Sequence, residues 1–236
     1  MFGFGYTGII ASMKKLPSGG GALWTNLIHY YTSDSVSTDS VGTANLTLYN
    51  GTTYATGKIN NGFSFDGVND YCMTSSGILP SASDMTISFW CNITNNSGYK
   101  GLIMSKNYYT TGFNGGFGIR NLNGQLSITL SNGTSFLENN IAGVVFPNNT
   151  WKFVTVTFNN TTKRVNCYID STLQTSNFDY TGYSNSDFSN GVRLGVAIPD
   201  NLYLNGLIDE LAMFDTVLTQ PQITELYNSG NGIQYI

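Results

Sequence analysis

Gly206-Leu207-Ile208-Asp209-Glu210-Leu211-Ala212-Met213-Phe214 leads through Leu218 into Thr219-Gln220-Pro221-Gln222-Ile223-Thr224-Glu225-Leu226-Tyr227, and this stretch decides the fold. Read at period two, its first part is a strand. Ile208, Glu210 and Ala212 fall on one side, with Asp209, Leu211 and Met213 on the other. The second part is a short helix. Thr219 serves as N-cap, Pro221 lies in the first turn, and Ile223, Leu226 and Tyr227 share a face before Asn228 to Gly230 stops it. The helix is predicted to cap one edge of a β-sandwich and so to keep that edge from pairing with other chains.

Upstream, apolar and polar residues alternate repeatedly. Phe63 and Phe65 bracket Ser64; Met85, Ile87, Phe89 and Cys91 alternate with Thr86, Ser88 and Trp90. Leu126, Ile128 and Leu130, then Val154, Val156 and Phe158, then Val165, Cys167 and Ile169 repeat the pattern. Such alternation marks strands packed on one face. Turn signals separate them: Asn60-Asn61-Gly62, Asp66-Gly67, Asn123-Gly124, Asn132-Gly133, Asn159-Asn160 and Asn205-Gly206. Asn and Gly tolerate the left-handed backbone of tight hairpins. The prediction is an all-β, antiparallel sandwich with one C-terminal helix, in which Trp90 and Trp151 are core residues.

Charged residues make up 10% of the 236-residue chain, against roughly 25% in an average globular protein. One domain is predicted over residues 23–236, preceded by a Gly-rich arm, residues 1–22, which is either a tail without fixed structure or an anchor that orders on a partner. The arm's lysines follow its apolar residues, the reverse of a secretory signal. A net charge of −4 without a dense basic run argues against nucleic acid. No stretch reaches the ~18 apolar residues of a membrane span. Cys72, Cys91 and Cys167 cannot all pair, and each stands in a strand-like run, so buried free thiols are expected.

Five ordered segments carry a family resemblance. They are Gly57 to Tyr71 (GKINNGFSFDGVNDY), Met85 to Trp90 (MTISFW), Trp151 to Phe158 (WKFVTVTF), Val165 to Thr175 (VNCYIDSTLQT), and Gly206 to Phe214 with the helix after it. Together they resemble the laminin-G-like branch of the concanavalin A-like lectin/glucanase superfamily over roughly Leu23 to Gly232. Phe153 stands where that family usually has His, and Ser171 where it has Gly. The resemblance implies a concanavalin A-like jelly roll.

It also implies where chemistry should be sought. Glucanases of the superfamily carry carboxylates at alternate positions of one strand, in a Glu-x-Asp-x-x-Glu pattern. Two such groups about 5.5 Å apart can flank a glycosidic bond. Asp209 and Glu210 are neighbours and are expected on opposite faces, and His29, the single His, lies beside Tyr30 and Tyr31. No catalytic residue is assigned. Family members often hold a structural calcium, for which Asp39 and Asp209 are the candidates by position, with Asp66 after them; the alternative is that these carboxylates cap turns and accept backbone N–H bonds. For glycans, aromatic faces and amides are needed. Tyr108, Tyr109, Phe113, Asn114 and Phe117 form one candidate stretch, and Tyr180 and Tyr183 a second; the alternative is ordinary hairpin chemistry.

The expectation is a non-catalytic surface module of a virion, a phage capsid or tail decoration or adhesion protein. Its arm, residues 1–22, would dock on other virion proteins while the sandwich faces outward, toward host-surface glycans. The alternatives are an extracellular lectin module unconnected with a virus and a glycoside hydrolase. Low charge and many aromatics would also suit a homo-oligomer.

Overall fold

Alternation along the strands resolves into two antiparallel sheets with one apolar core between them. A computed structural model describes residues 22–74, 83–105, 116–132, 135–143, 145–183, 191–197 and 202–235. One sheet holds β1 (Leu27–Tyr31), β3 (Thr53–Thr56), β4 (Asn61–Asp66), β6 (Met85–Ile93), β11 (Trp151–Asn159), β12 (Arg164–Ile169), β13 (Thr172–Asp179) and β17 (Asn205–Phe214). Its order is β13-β12-β11-β6-β17-β4-β3, with β1 also paired to β17. The other sheet holds β2 (Leu46–Tyr49), β5 (Tyr71–Thr74), β7 (Tyr99–Ser105), β8 (Gly116–Leu122), β9 (Gln125–Ser131), β10 (Phe136–Asn140) and β14 (Val192–Leu194), in the order β10-β9-β8-β7-β14-β5-β2. A hairpin of β15 (Val196–Ala197) and β16 (Leu202–Tyr203) lies against β7 so closely that a Cβ on Gly101 would sit 2.2 Å from the Val196 carbonyl carbon.

The inward sets read from the sequence meet in the core: Phe63 and Phe65; Met85, Ile87, Phe89 and Cys91; Leu126, Ile128 and Leu130; Val154, Val156 and Phe158; Val165, Cys167 and Ile169. Burying each large side chain is worth roughly 1.5–3 kcal/mol. All three cysteines are buried and free.

Strand β17 departs from simple alternation. Asp209 lies opposite Trp90 and Ala212 opposite Ser88, so three steps on β17 match two on β6. The extra residue is a bulge at Glu210, whose φ of 50° is left-handed. Ile208, Leu211 and Met213 therefore share the inter-sheet core, while Ala212 and Phe214 face outward. The side assignment expected from strict period two is corrected accordingly. The bulge sits where β17 changes neighbour on one side, from β4 (Asn205 to Ile208) to β1 (Leu211 to Phe214).

The helix α1 (Gln220–Tyr227) forms as expected, with Gln222 Oε1 accepting from the Thr219 N–H at 2.9 Å and from the Thr219 hydroxyl. Its position differs from the expectation. Ile223, Leu226 and Tyr227 cover the outer face of the eight-stranded sheet, on Trp90, Phe153, Tyr168 and Phe214, and do not cap an edge. Trp90 belongs to this second cluster, with Lys58 Nζ 4.6 Å from its ring centre, and Trp151 packs at its margin. Leu23 and Trp24 join the same cluster, and residues 1–21 lie outside the described residues.

Candidate functional site

Strands β7 to β10 turn one row of side chains inward and the other outward. The inward row is Phe117, Ile119, Leu126, Ile128 and Leu130; by register, Arg120 pairs with Ser127 and Gly118 with Thr129 on the outward side. On this outer face four polar side chains lock together. Arg120 Nη2 lies 3.1 Å from Glu138 Oε2 and 3.4 Å from the Ser127 hydroxyl. Glu138 Oε1 accepts from the Ser127 hydroxyl at 3.2 Å and from the Tyr99 phenol at 3.3 Å. The Arg120 guanidinium stands 4.9 Å from the centre of the Tyr99 ring, a cation–π distance. Burial, then the neighbouring Glu138 carboxylate, raises the Tyr99 phenol and keeps it a donor.

Arg120 is 11% exposed and Glu138 21%, and Arg120 Nε has no hydrogen-bond partner. Two residues along β10 on the same side, the Phe136 ring is 45% exposed. A fixed guanidinium, a fixed carboxylate, two hydroxyls and two aromatic rings on one sheet face can hold a polyhydroxylated ligand by hydrogen bonds and by contact with its C–H surface. The sequence reading missed this site. Its residues come from four strands, and only their register brings them together.

The predicted glycan residues fare differently. Tyr108, Tyr109, Phe113 and Asn114 lie outside the described residues. Phe117 is corrected: it is fully buried in the inter-sheet core, edge-on to Phe158 at 5.9 Å. Tyr180 is corrected likewise. It is fully buried, its hydroxyl donates to the Asn159 carbonyl, and burial pushes its phenol up to about 12. Tyr183 stays half-buried, its hydroxyl 3.3 Å from that of Ser135.

Two of the three calcium candidates, Asp39 and Asp209, are wrapped in N–H donors. Asp39 accepts from the backbone N–H groups of Tyr30, Val41, Gly42 and Ala44 and meets His29 Nδ1 at 2.5 Å. Asp209 accepts from Lys58, Ile59 and Glu210 N–H at 2.8, 3.0 and 2.8 Å. Asp66 makes an Asx turn to Val68 and Asn69. At Asp39 and Asp209 donor hydrogens point at the lone pairs a cation would need, and no group of three or more His, Cys, Asp or Glu suited to a metal occurs among the described residues. Asp39 and Asp209, held in this way, do not fit a calcium site.

The bulge also revises the case about catalysis. Asp209 and Glu210 lie on the same outer side, because Glu210 reaches the Tyr30 hydroxyl and Gln234 Nε2 in the outer cluster. Both are closed off, at 0% and 4% exposure. Burial pushes Asp209 up to about 7, against its three N–H bonds, and Glu210 up to about 8.

Residues 66–224 match a laminin G family model of the concanavalin A-like lectin/glucanases superfamily. No curated protein sequence matches the chain. Among solved structures, domain 4 of AbnA, a GH43 extracellular arabinanase from Geobacillus stearothermophilus solved with arabinotriose, superposes with a TM-score of 0.72 at 18% identity, over 85% of this chain and 97% of that domain. The binding domain of Paraclostridial Mosquitocidal Protein 1 gives 0.72 at 19% identity, over 88% of this chain and 53% of its own. The botulinum neurotoxin serotype D binding domain gives 0.68 at 18%, over 86% and 51%. The chain thus spans about half the length of the two toxin domains, and at these identities the likeness is one of fold.

Proposed function

The chain belongs to the concanavalin A-like lectin/glucanase superfamily, and from that membership we propose that it is a non-catalytic module that binds a glycan on the outer face of its seven-stranded sheet. One observation carries the reading: the Arg120–Glu138 pair, tied to Tyr99 and Ser127, occupies a sheet face. A part-exposed ion pair of this kind adds little to stability, so stability alone does not call for it. A recognition role accounts for its presence. AbnA domain 4, solved with a trisaccharide, supports sugar as the ligand class. The two toxin neighbours are binding domains by name. Closure of Asp209 and Glu210 against solvent supports a non-catalytic role.

A glycan array should show a preferred sugar. Arg120→Lys keeps the charge and loses the fork, and Phe136→Ala removes an exposed ring; each should weaken binding about tenfold, or ~1.4 kcal/mol, while melting within a few degrees of the parent. A blank array sinks the proposal.

The narrower reading, a virion surface protein held by residues 1–22, is supported by the glycine-rich, apolar sequence of that arm. A tagged chain expressed during infection should band with purified particles and lose that association when residues 1–22 are deleted. Association that survives the deletion overturns the anchor.

A further inference from the structure

At the edge of the sandwich, an open cleft of about 310 Å³ lies among the start of β11, the β12–β13 turn and the segment that joins β10 to β11. Val145, Pro147 and Ile169 supply apolar wall, and Lys152, Asp170, Thr172 and Gln174 the polar groups. It shares no residue with the Arg120 site.

The polar groups are fixed before any ligand arrives. Asp170 Oδ1 accepts from the Phe153 N–H at 3.0 Å, and Asp170 Oδ2 from Lys152 Nζ at 2.6 Å. Gln174 Nε2 donates to the Thr172 carbonyl at 3.0 Å, which leaves its amide oxygen as an acceptor. Asp170 and Ser171 form the two-residue turn between β12 and β13, and both are left-handed, with φ of 51° and 59°. Neither is glycine, and Ser171 stands where the resembled family has one. A two-residue hairpin turn requires this backbone at both positions, and it fixes where the Asp170 side chain starts. Gln220 of α1 steadies the turn by donating to the Ser171 carbonyl at 2.7 Å.

We infer that this cleft is a second ligand site, built for one or two residues of a neutral sugar. Its volume lies at the small end of ligand pockets, which run from ~300 to 1,000 Å³. Lys152 and Asp170 neutralise each other, so the site has no net charge with which to select an ion. What they retain is direction: Lys152 has further N–H donors and Asp170 further lone pairs, a donor and an acceptor side by side that match the adjacent hydroxyls of a pyranose or furanose. Val145, Pro147 and Ile169 offer apolar surface to the C–H side of the ring. Preorganised groups lose little freedom on binding. The assignment rests on reading the domain as a glycan binder.

Backbone amide NMR distinguishes the two ideas. Neutral arabinose, galactose, glucose and maltose would each be titrated into the intact domain, with glucuronate beside them. At least one neutral sugar should move the amide signals of Phe153, Asp170 and Thr172 and the Gln174 side-chain amide, in the parent and in Arg120→Lys alike. Gln174→Ala, at an exposed position, should weaken those shifts tenfold and leave the melting midpoint in place; Lys152→Met should do the same or more. Sugar-induced shifts confined to β7–β10 would overturn the cleft and leave glycan binding standing. Shifts at neither site would overturn both, and a clear preference of the cleft for glucuronate would overturn the neutral class.

Discussion

An Asp39→Ala protein should melt about 10 °C below the parent, followed by circular dichroism. Asp39 is 9% exposed, and its two oxygens gather the N–H groups of Tyr30, Val41, Gly42 and Ala44 together with His29 Nδ1. They pack so tightly that a Cβ on Gly42 would lie 2.5 Å from Asp39 Oδ2. Leaving a buried donor unpaired costs roughly 1–3 kcal/mol. Several are orphaned together, and water reaches some of them, which puts the loss on the order of 4 kcal/mol. At this chain length each kcal/mol lowers the midpoint by about 2–4 °C. Asp39→Asn keeps one oxygen but turns an amino group toward N–H donors, so it should fall between the two. A midpoint within about 3 °C of the parent for Asp39→Ala would show that the loop is held by something else. Burial works to raise this carboxyl, but the His29, Gly42 and Val41 hydrogen bonds outweigh it and hold it below the ordinary range. Its contribution is therefore present above the ordinary carboxylate pKa and is lost as the pH falls through the depressed value.

The buried pair on β17 has the opposite sign, and it predicts a domain more stable at pH 5 than at pH 8. Burial raises Asp209 to about 7 and Glu210 to about 8. In the unfolded chain both ionise near pH 4, so stability is full below that point. It then drains away as the pH rises through 7 and 8. Glu210→Gln stays neutral in both states and should flatten this slope, melting above the parent at pH 8 by an amount on the order of 3 kcal/mol and close to it at pH 5. Asp209→Asn should lose stability at every pH, since its three backbone donors need both carboxylate oxygens. Urea titrations at pH 5, 6, 7 and 8 measure all three proteins. A parent that gains stability between pH 5 and 8 contradicts the prediction.

Period-two runs such as Met85 to Cys91 and Val154 to Phe158 could be read in advance, because a strand packed on one side has no other way to divide its residues. The helix was legible for the same reason, through its cap and its apolar face. Its seat was not: an outer cluster of Trp90, Phe153, Tyr168 and Phe214 forms only once β6, β11, β12 and β17 lie side by side. A bulge has no sequence mark of its own in Asp209-Glu210, which is why the sides of β17 came out wrong. Aromatic residues near turns were a poor guide to ligand surface, since Phe117 and Tyr180 fill the interior. Arg120 and Glu138 are 18 residues apart in sequence and meet only through the β8–β9–β10 register.

Trp24, near the first described residue, packs edge-on against Tyr235, near the last, with ring centres 5.5 Å apart. Both sit over the eight-stranded sheet, with the core between them and the Arg120 face. A folded unit that starts and finishes at one place, as residues 22 and 235 do here, can be spliced into a surface loop of a host protein without spreading that loop. Inserted so, it would stand on its ends like a plug in a socket and hold the Arg120 face away from its carrier. The same proximity means that a short peptide joining residue 235 to residue 22 should permit new termini to be opened elsewhere, and it makes the domain a convenient cassette for display.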